Sequence, residues 1–77
     1  MTWTFHVLAT EQRRLLSRIL QVLDVHMVRI HSFSGKANQD GLCVTLVFSS
    51  EQDKAHRIKA LLHRLEGVLS VATEPES

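Results

Sequence analysis

The sequence predicts an α+β domain with elements in the order βαββαβ, and three observations carry that reading. Apolar and polar residues alternate over 2–9 and 25–34, which marks strands, while residues 42–49 form a nearly unbroken apolar run. Apolar residues recur at helical spacing over 15–23 and again over 55–65. A stretch holding two glycines, an asparagine and an aspartate, "GKANQDG", separates the second and third strands. Four strands and two helices in this order form the split βαβ, or ferredoxin-like, arrangement: a four-stranded antiparallel sheet in spatial order 4-1-3-2 with both helices on one face.

Each element has its own signal. "TWTFHVLA" (Thr2 to Ala9) sets Trp3, Phe5 and Val7 against Thr4 and His6, as a half-buried strand does. Thr10 is placed as the N-cap of the first helix, whose Leu15, Leu16, Ile19, Leu20, Val22 and Leu23 lie opposite Arg13, Arg14, Ser17, Arg18 and Gln21, and which ends near Asp24. "VHMVRIHSFS" (Val25 to Ser34) returns to alternation, with Val28, Ile30 and Ser32 on one side and Arg29, His31 and Phe33 on the other. Residues 35–41 then read as a hairpin loop. "LCVTLVFS" (Leu42 to Ser49) suits a central strand covered on both faces, with Cys43 as a small buried hydrophobe. Ser49 or Ser50 is expected to cap the second helix with Gln52 or Asp53 as the capping-box partner. Ala55, Ile58, Leu61, Leu62 and Leu65 form that helix's buried stripe, and Gly67 is its C′ residue. "VLSVAT" is a last short strand, and in the acidic tail over 74–77 Pro75 is expected to stop the pairing.

Seventy-seven residues make a single domain, 1–77, with a thin core, since a chain of this size buries only about 60% of the surface its unfolded form exposes. One face of the sheet is left without helices, so its side chains must tolerate water or meet another subunit. Nine Lys and Arg against eight Asp and Glu give a net charge of +1, no electrostatic footprint for nucleic acid or an acidic membrane. One cysteine forms no internal disulfide, and with neither a leader-like segment nor an 18-residue apolar run the expected location is the cytoplasm.

The chemistry-bearing residues exclude more than they propose. His56 and His63 sit about 10.5 Å apart along a helix, and no HxxxH, CxxC or HxxE spacing occurs, so no metal site and no cofactor are expected. A glycine-rich phosphate loop, a GxSxG and a nucleophile beside an obvious base are all missing, so no catalytic residues are assigned. Acylphosphatases share the topology but need a glycine-rich arginine loop, and metallochaperones of this shape need a CxxC. RNA-recognition modules share it as well, yet their third strand presents stacking aromatics where "DGLCVTLVF" offers Leu42 and Val44.

Four segments together carry a more specific likeness: "LLSRIL" (Leu15 to Leu20), "IHSF" (Ile30 to Phe33), "TLVF" (Thr45 to Phe48) and "LLHRLEGVLSV" (Leu61 to Val71). Over residues 3–73 the chain resembles an ACT domain, and most of all the small regulatory subunit of acetolactate synthase (acetohydroxyacid synthase). The resemblance implies a non-catalytic chain that dimerises, binds a thiamine-diphosphate-dependent catalytic subunit of branched-chain amino-acid biosynthesis and activates it, with valine feedback in many members. The alternatives are a free-standing ACT-like small-molecule sensor or another ferredoxin-like interaction module.

The resemblance also locates a site. In ACT domains the turn from the first strand into the first helix usually carries a glycine, which lets the backbone approach an amino-acid ligand while helix-start N–H groups meet its carboxylate. Arg14 stands there in this chain, Arg29 matches an asparagine of valine-binding members, and Met27 matches a glycine that often ends the first helix. These departures imply a valine-insensitive type, with the loop relaxed into a plain helix start capped by Thr10. The effector-pocket candidates are Glu11, Arg14, Leu15, Arg29 and Ile30, for an amino acid or a more acidic effector. The candidates for a homodimer seam along the second strand are Val28, Ile30 and Ser32.

Overall fold

In a computed structural model, which describes residues 1–10, 14–39 and 41–76, the elements are β1 (Thr2–Ala9), α1 (Leu15–Val25), β2 (Arg29–Asn38), β3 (Gly41–Ser49), α2 (Gln52–His63) and β4 (Val68–Glu76). All strand pairings are antiparallel, and the sheet runs β2-β3-β1-β4, the expected order. Each helix crosses the sheet between the strands it joins, so both lie on one face; they bury one residue set of β1 and β3, while β2 contributes only the half-buried Phe33.

The period of two decides which set. Trp3, Phe5, Val7 and Ala9 of β1 are buried beside Leu42, Val44, Leu46 and Phe48 of β3, their cross-strand partners. Leu15, Ile19 and Leu23 of α1 and Ala55, Ile58 and Leu62 of α2 close over them. Phe5 and Phe48 meet edge to face at 4.8 Å between ring centroids, and the Trp3 indole N–H donates to the Ser50 carbonyl, 3.2 Å away. The other face carries Thr2, Thr4, His6, Thr45, Ser49, Ser70 and Glu74, with Leu8, Val47, Ala72 and Cys43 as its less polar members. It is a water-tolerant surface.

That alternation corrects two expectations about β3. The strand is central, but only one of its faces is covered, because both helices sit on the same side. Cys43 falls on the open face and is exposed rather than buried. The second strand differs more. Ile30 pairs with Phe48 and Ser32 with Val47, so His31 is an extra residue, a β-bulge that reverses the alternation after it. Phe33, Gly35 and Ala37 consequently share the helix side with Ile30, while Ser32 lies on the open face away from Ile30. Residues 35–38 are strand, not loop: Asn38 pairs with Gly41, so only two residues join the strands.

The ends of the elements also move. Thr10 does not cap α1, which begins at Leu15 with Arg14 as its N-cap; Leu16 and Leu20 remain partly exposed on its flank. Neither Ser49 nor Ser50 caps α2: Glu51 is the N-cap, and the Ser50 hydroxyl donates to the Glu51 carbonyl at 2.8 Å. Arg64 is the C-cap of α2, and Gly67, with φ 94°, turns the chain into β4 three residues later. Pro75 does not end β4, since it pairs with Trp3 and the strand continues to Glu76. An edge strand tolerates a proline whose missing N–H would face outward. Among the described residues, no helix is long and apolar enough to cross a membrane.

Candidate functional site

The site is built where β1 gives way to α1. Beside Ala9, Gly41 starts β3 with φ 140°, and a Cβ on it would lie 2.3 Å from the Ala9 carbonyl oxygen. Only glycine lets the backbones close up there. The Thr10 N–H and hydroxyl both donate to the Gly67 carbonyl, at 2.8 and 3.3 Å, and tie the loop to the turn before β4. This tight backbone floor lies at one end of the sheet, below the start of α1.

Arg14, the N-cap of α1, has φ 66° and ψ 14°, in the left-handed region, and its side chain is exposed. Its carbonyl already accepts the first helical hydrogen bond, from the Arg18 N–H at 3.0 Å. Its side chain makes no cap. The expectation of a relaxed, plain helix start therefore fails at the backbone: an arginine holds a conformation that favours glycine. Arg14 thus adds an exposed cation at the N-terminus of α1, where the helix-start N–H groups also favour an anion.

The other end of α1 repeats the pattern. Met27 has φ 56°, its N–H donates to the Asp24 carbonyl at 3.0 Å, and the Val28 N–H donates to the Leu23 carbonyl at 3.5 Å. With His26 as C-cap, these are the two bonds of a Schellman motif, and Met27 occupies its left-handed C′ position. Leu23 belongs to the core and the half-buried Val28 packs against that core, as the apolar contact of the motif requires. Both positions at which the resemblance expects glycine keep a glycine-like backbone while carrying large side chains.

The remaining candidates are spread out. Glu11 lies outside the described residues. Leu15 is only 1% exposed and belongs to the core rather than to an open pocket. Arg29 pairs with Ser49 at the far end of the sheet, seven strand positions from the Ala9–Leu42 end, on the order of 23 Å along the strand at 3.3 Å per residue. One chain does not bring the two arginines together. Ile30, 39% exposed, lies along β2 on the helix side with half-buried Phe33 and Val28 nearby in sequence; Leu16 reaches the same side, where a Cβ on Gly35 would come within 3.2 Å of its Cδ2.

The histidines are dispersed too. His6 Nε2 lies 3.6 Å from a Glu74 carboxylate oxygen on the open face, and His31 Nε2 lies 2.6 Å from the Ser49 hydroxyl. His26 belongs to the end of α1 rather than to a strand, and its Nδ1–H donates to the Val22 carbonyl at 2.8 Å. Among the described residues no three His, Cys, Asp or Glu side chains converge to hold a metal ion.

By sequence, no family model and no curated protein matches the chain. By structure the match is close. The ACT domain of a GTP pyrophosphokinase from Chlorobium tepidum superposes with a TM-score of 0.80 at 18% identity, covering 96% of this chain and 97% of that domain. The chain has the ACT-domain fold. A homoserine dehydrogenase from Thiobacillus denitrificans contains a similar unit, with a TM-score of 0.75 at 15% identity, over 94% of this chain and 16% of the enzyme. A formyltetrahydrofolate deformylase from Burkholderia mallei gives 0.74 at 10% identity, over 97% of this chain and 28% of the enzyme.

Proposed function

We propose that this chain is a regulatory subunit that binds and activates the thiamine-diphosphate-dependent catalytic subunit of an acetolactate synthase, has no turnover of its own and lacks valine feedback. The observation that carries the reading is Arg14. At the turn where ACT domains receive small ligands, the left-handed backbone is kept, but an exposed guanidinium replaces the hydrogen of a glycine. The four segments with acetolactate synthase character supply the partner, and the ACT-type fold supplies the regulatory role.

Two copies pair along β2 in this reading. That strand is an edge ten residues long, flanked on the helix side by the partly exposed Leu16, Leu20 and Ile30. A two-fold seam would run the strands antiparallel and set the Arg29 end of one copy beside the Asn38 end of the other, near that copy's helix start. Two cations from different chains would then face one effector, which favours a dicarboxylate over valine.

Reconstitution with the catalytic subunit encoded in the same genome tests the partner: co-purification with increased acetolactate formation is expected. Unchanged activity without co-purification would instead favour a free-standing ACT-like sensor. Calorimetry with valine, leucine, isoleucine and a dicarboxylate tests the effector. Micromolar valine binding would refute the loss of feedback, and dicarboxylate binding that disappears in both Arg14→Ala and Arg29→Ala would support the paired cations.

A further inference from the structure

On the opposite side of α1 from the β2 edge, α1 and α2 enclose an open groove of about 500 Å³. Its floor is apolar: Val22 and Val25 on α1 line it with Leu61 on α2 and with Leu65, which the sequence pattern places in the stripe of α2 but which lies just past the C-cap Arg64; Val25 is 68% exposed. Arg18 and His26 stand at the two ends of the α1 wall, eight residues or about 12 Å apart at 1.5 Å per residue, the length of about two helical turns. Arg57 on α2 lies one turn before Leu61, and Arg64, the C-cap, lies three residues after it; both are exposed. Among the described residues no carboxylate lines the groove, and none lies within ion-pair distance of Arg18, Arg57 or Arg64.

An apolar floor two turns long flanked by exposed cations, with no carboxylate partner for them among the described residues, is complementary to one kind of occupant. We infer that this groove receives an acidic amphipathic helix, with apolar anchors at i, i+3 or i+4 and i+7 against Val22, Val25, Leu61 and Leu65, and carboxylates on its flanks toward Arg18, Arg57 and Arg64. Resting on the proposed function, the helix belongs to the catalytic subunit. The groove is thus the docking surface of the regulatory chain, separate from the effector turn at Arg14 and from the β2 edge.

The test measures binding of the full chain to the catalytic subunit, with three variants at exposed positions. Arg18→Glu and Val25→Gln should each weaken binding by about tenfold or more, and the wild-type affinity should fall as salt rises. His6→Gln, on the opposite face of the sheet, should bind as the wild type does. Circular dichroism confirms that each variant is folded. Groove variants that bind as tightly as the wild type would overturn the docking surface and leave the proposed function standing. A wild-type chain that does not bind removes both. Should Val25→Gln change the sedimentation of the chain alone, the groove is covered by a second copy and the inference fails.

Discussion

Replacing Met27 by glycine should make the protein more stable, although it removes a whole side chain. Met27 holds the C′ position of α1 with φ 56°, where an L-residue pays roughly 1–2 kcal/mol for the approach of its Cβ to the backbone. Glycine escapes that cost and gives back about 0.5–1 kcal/mol through the extra freedom of its unfolded chain. Little packing is lost, because the Met27 side chain is 87% exposed. The balance is a gain on the order of 1 kcal/mol, which for a domain of this size raises the melting temperature by about 4–8 °C. Met27→Ala is the control, since it keeps the Cβ and with it the strain, and should gain nothing. Thermal unfolding followed by circular dichroism, with urea titration to check that the slope is unchanged, measures both variants. A Met27→Gly variant that melts at or below the wild-type temperature would refute the assignment of a strained Schellman turn.

Arg14→Gly should stabilise by a similar amount for the same reason, φ 66° at the start of α1, and calorimetry should show it losing any dicarboxylate affinity while gaining room for an amino acid. Gly41→Ala should cost about 3 kcal/mol or more in urea unfolding, because φ 140° and a Cβ 2.3 Å from the Ala9 carbonyl oxygen force the β1 and β3 ends apart. Gly35→Ala should be within about 1 kcal/mol of the wild type, since its nearest neighbour at 3.2 Å is the end of the partly exposed Leu16 side chain, which can swing aside. Cys43 should react fully with a thiol reagent in the folded protein, without denaturant; protection in the native state would place it under another surface.

The elements with clean periodicity were readable from residues alone. Strand β1 runs over the eight residues read as alternating, with Leu8 the one apolar side chain on its open face, and the buried sides of α1 and α2 follow Leu15, Ile19 and Leu23 and Ala55, Ile58 and Leu62. What escaped was set by tertiary contacts. The bulge at His31 has no local signature, yet it decides that Phe33 rather than Ser32 joins Ile30, and so changes the residues available at a β2 seam. Residues 35–38 have loop composition but find partners on β3 and become strand. At the candidate site, the place of Arg14 was legible and its backbone was not: an arginine gives no hint of left-handed geometry, which the closure at Gly41 and the tie from Thr10 to Gly67 frame. Cys43 was misjudged because an apolar run does not reveal that only one side of its sheet is covered.

Pro75 has a consequence for how large an assembly of these chains can grow. It sits in β4, at the opposite margin of the sheet from β2, and a strand arriving there from outside meets a pyrrolidine ring where a donor should be. The offset in the β1–β4 register between Leu8 and Ala9 adds a twist to that same margin. In the proposed pairing along β2, the outer margins of the pair would both be β4 strands, each with Pro75 near its end, and that end works against growth of the pair into a fibre.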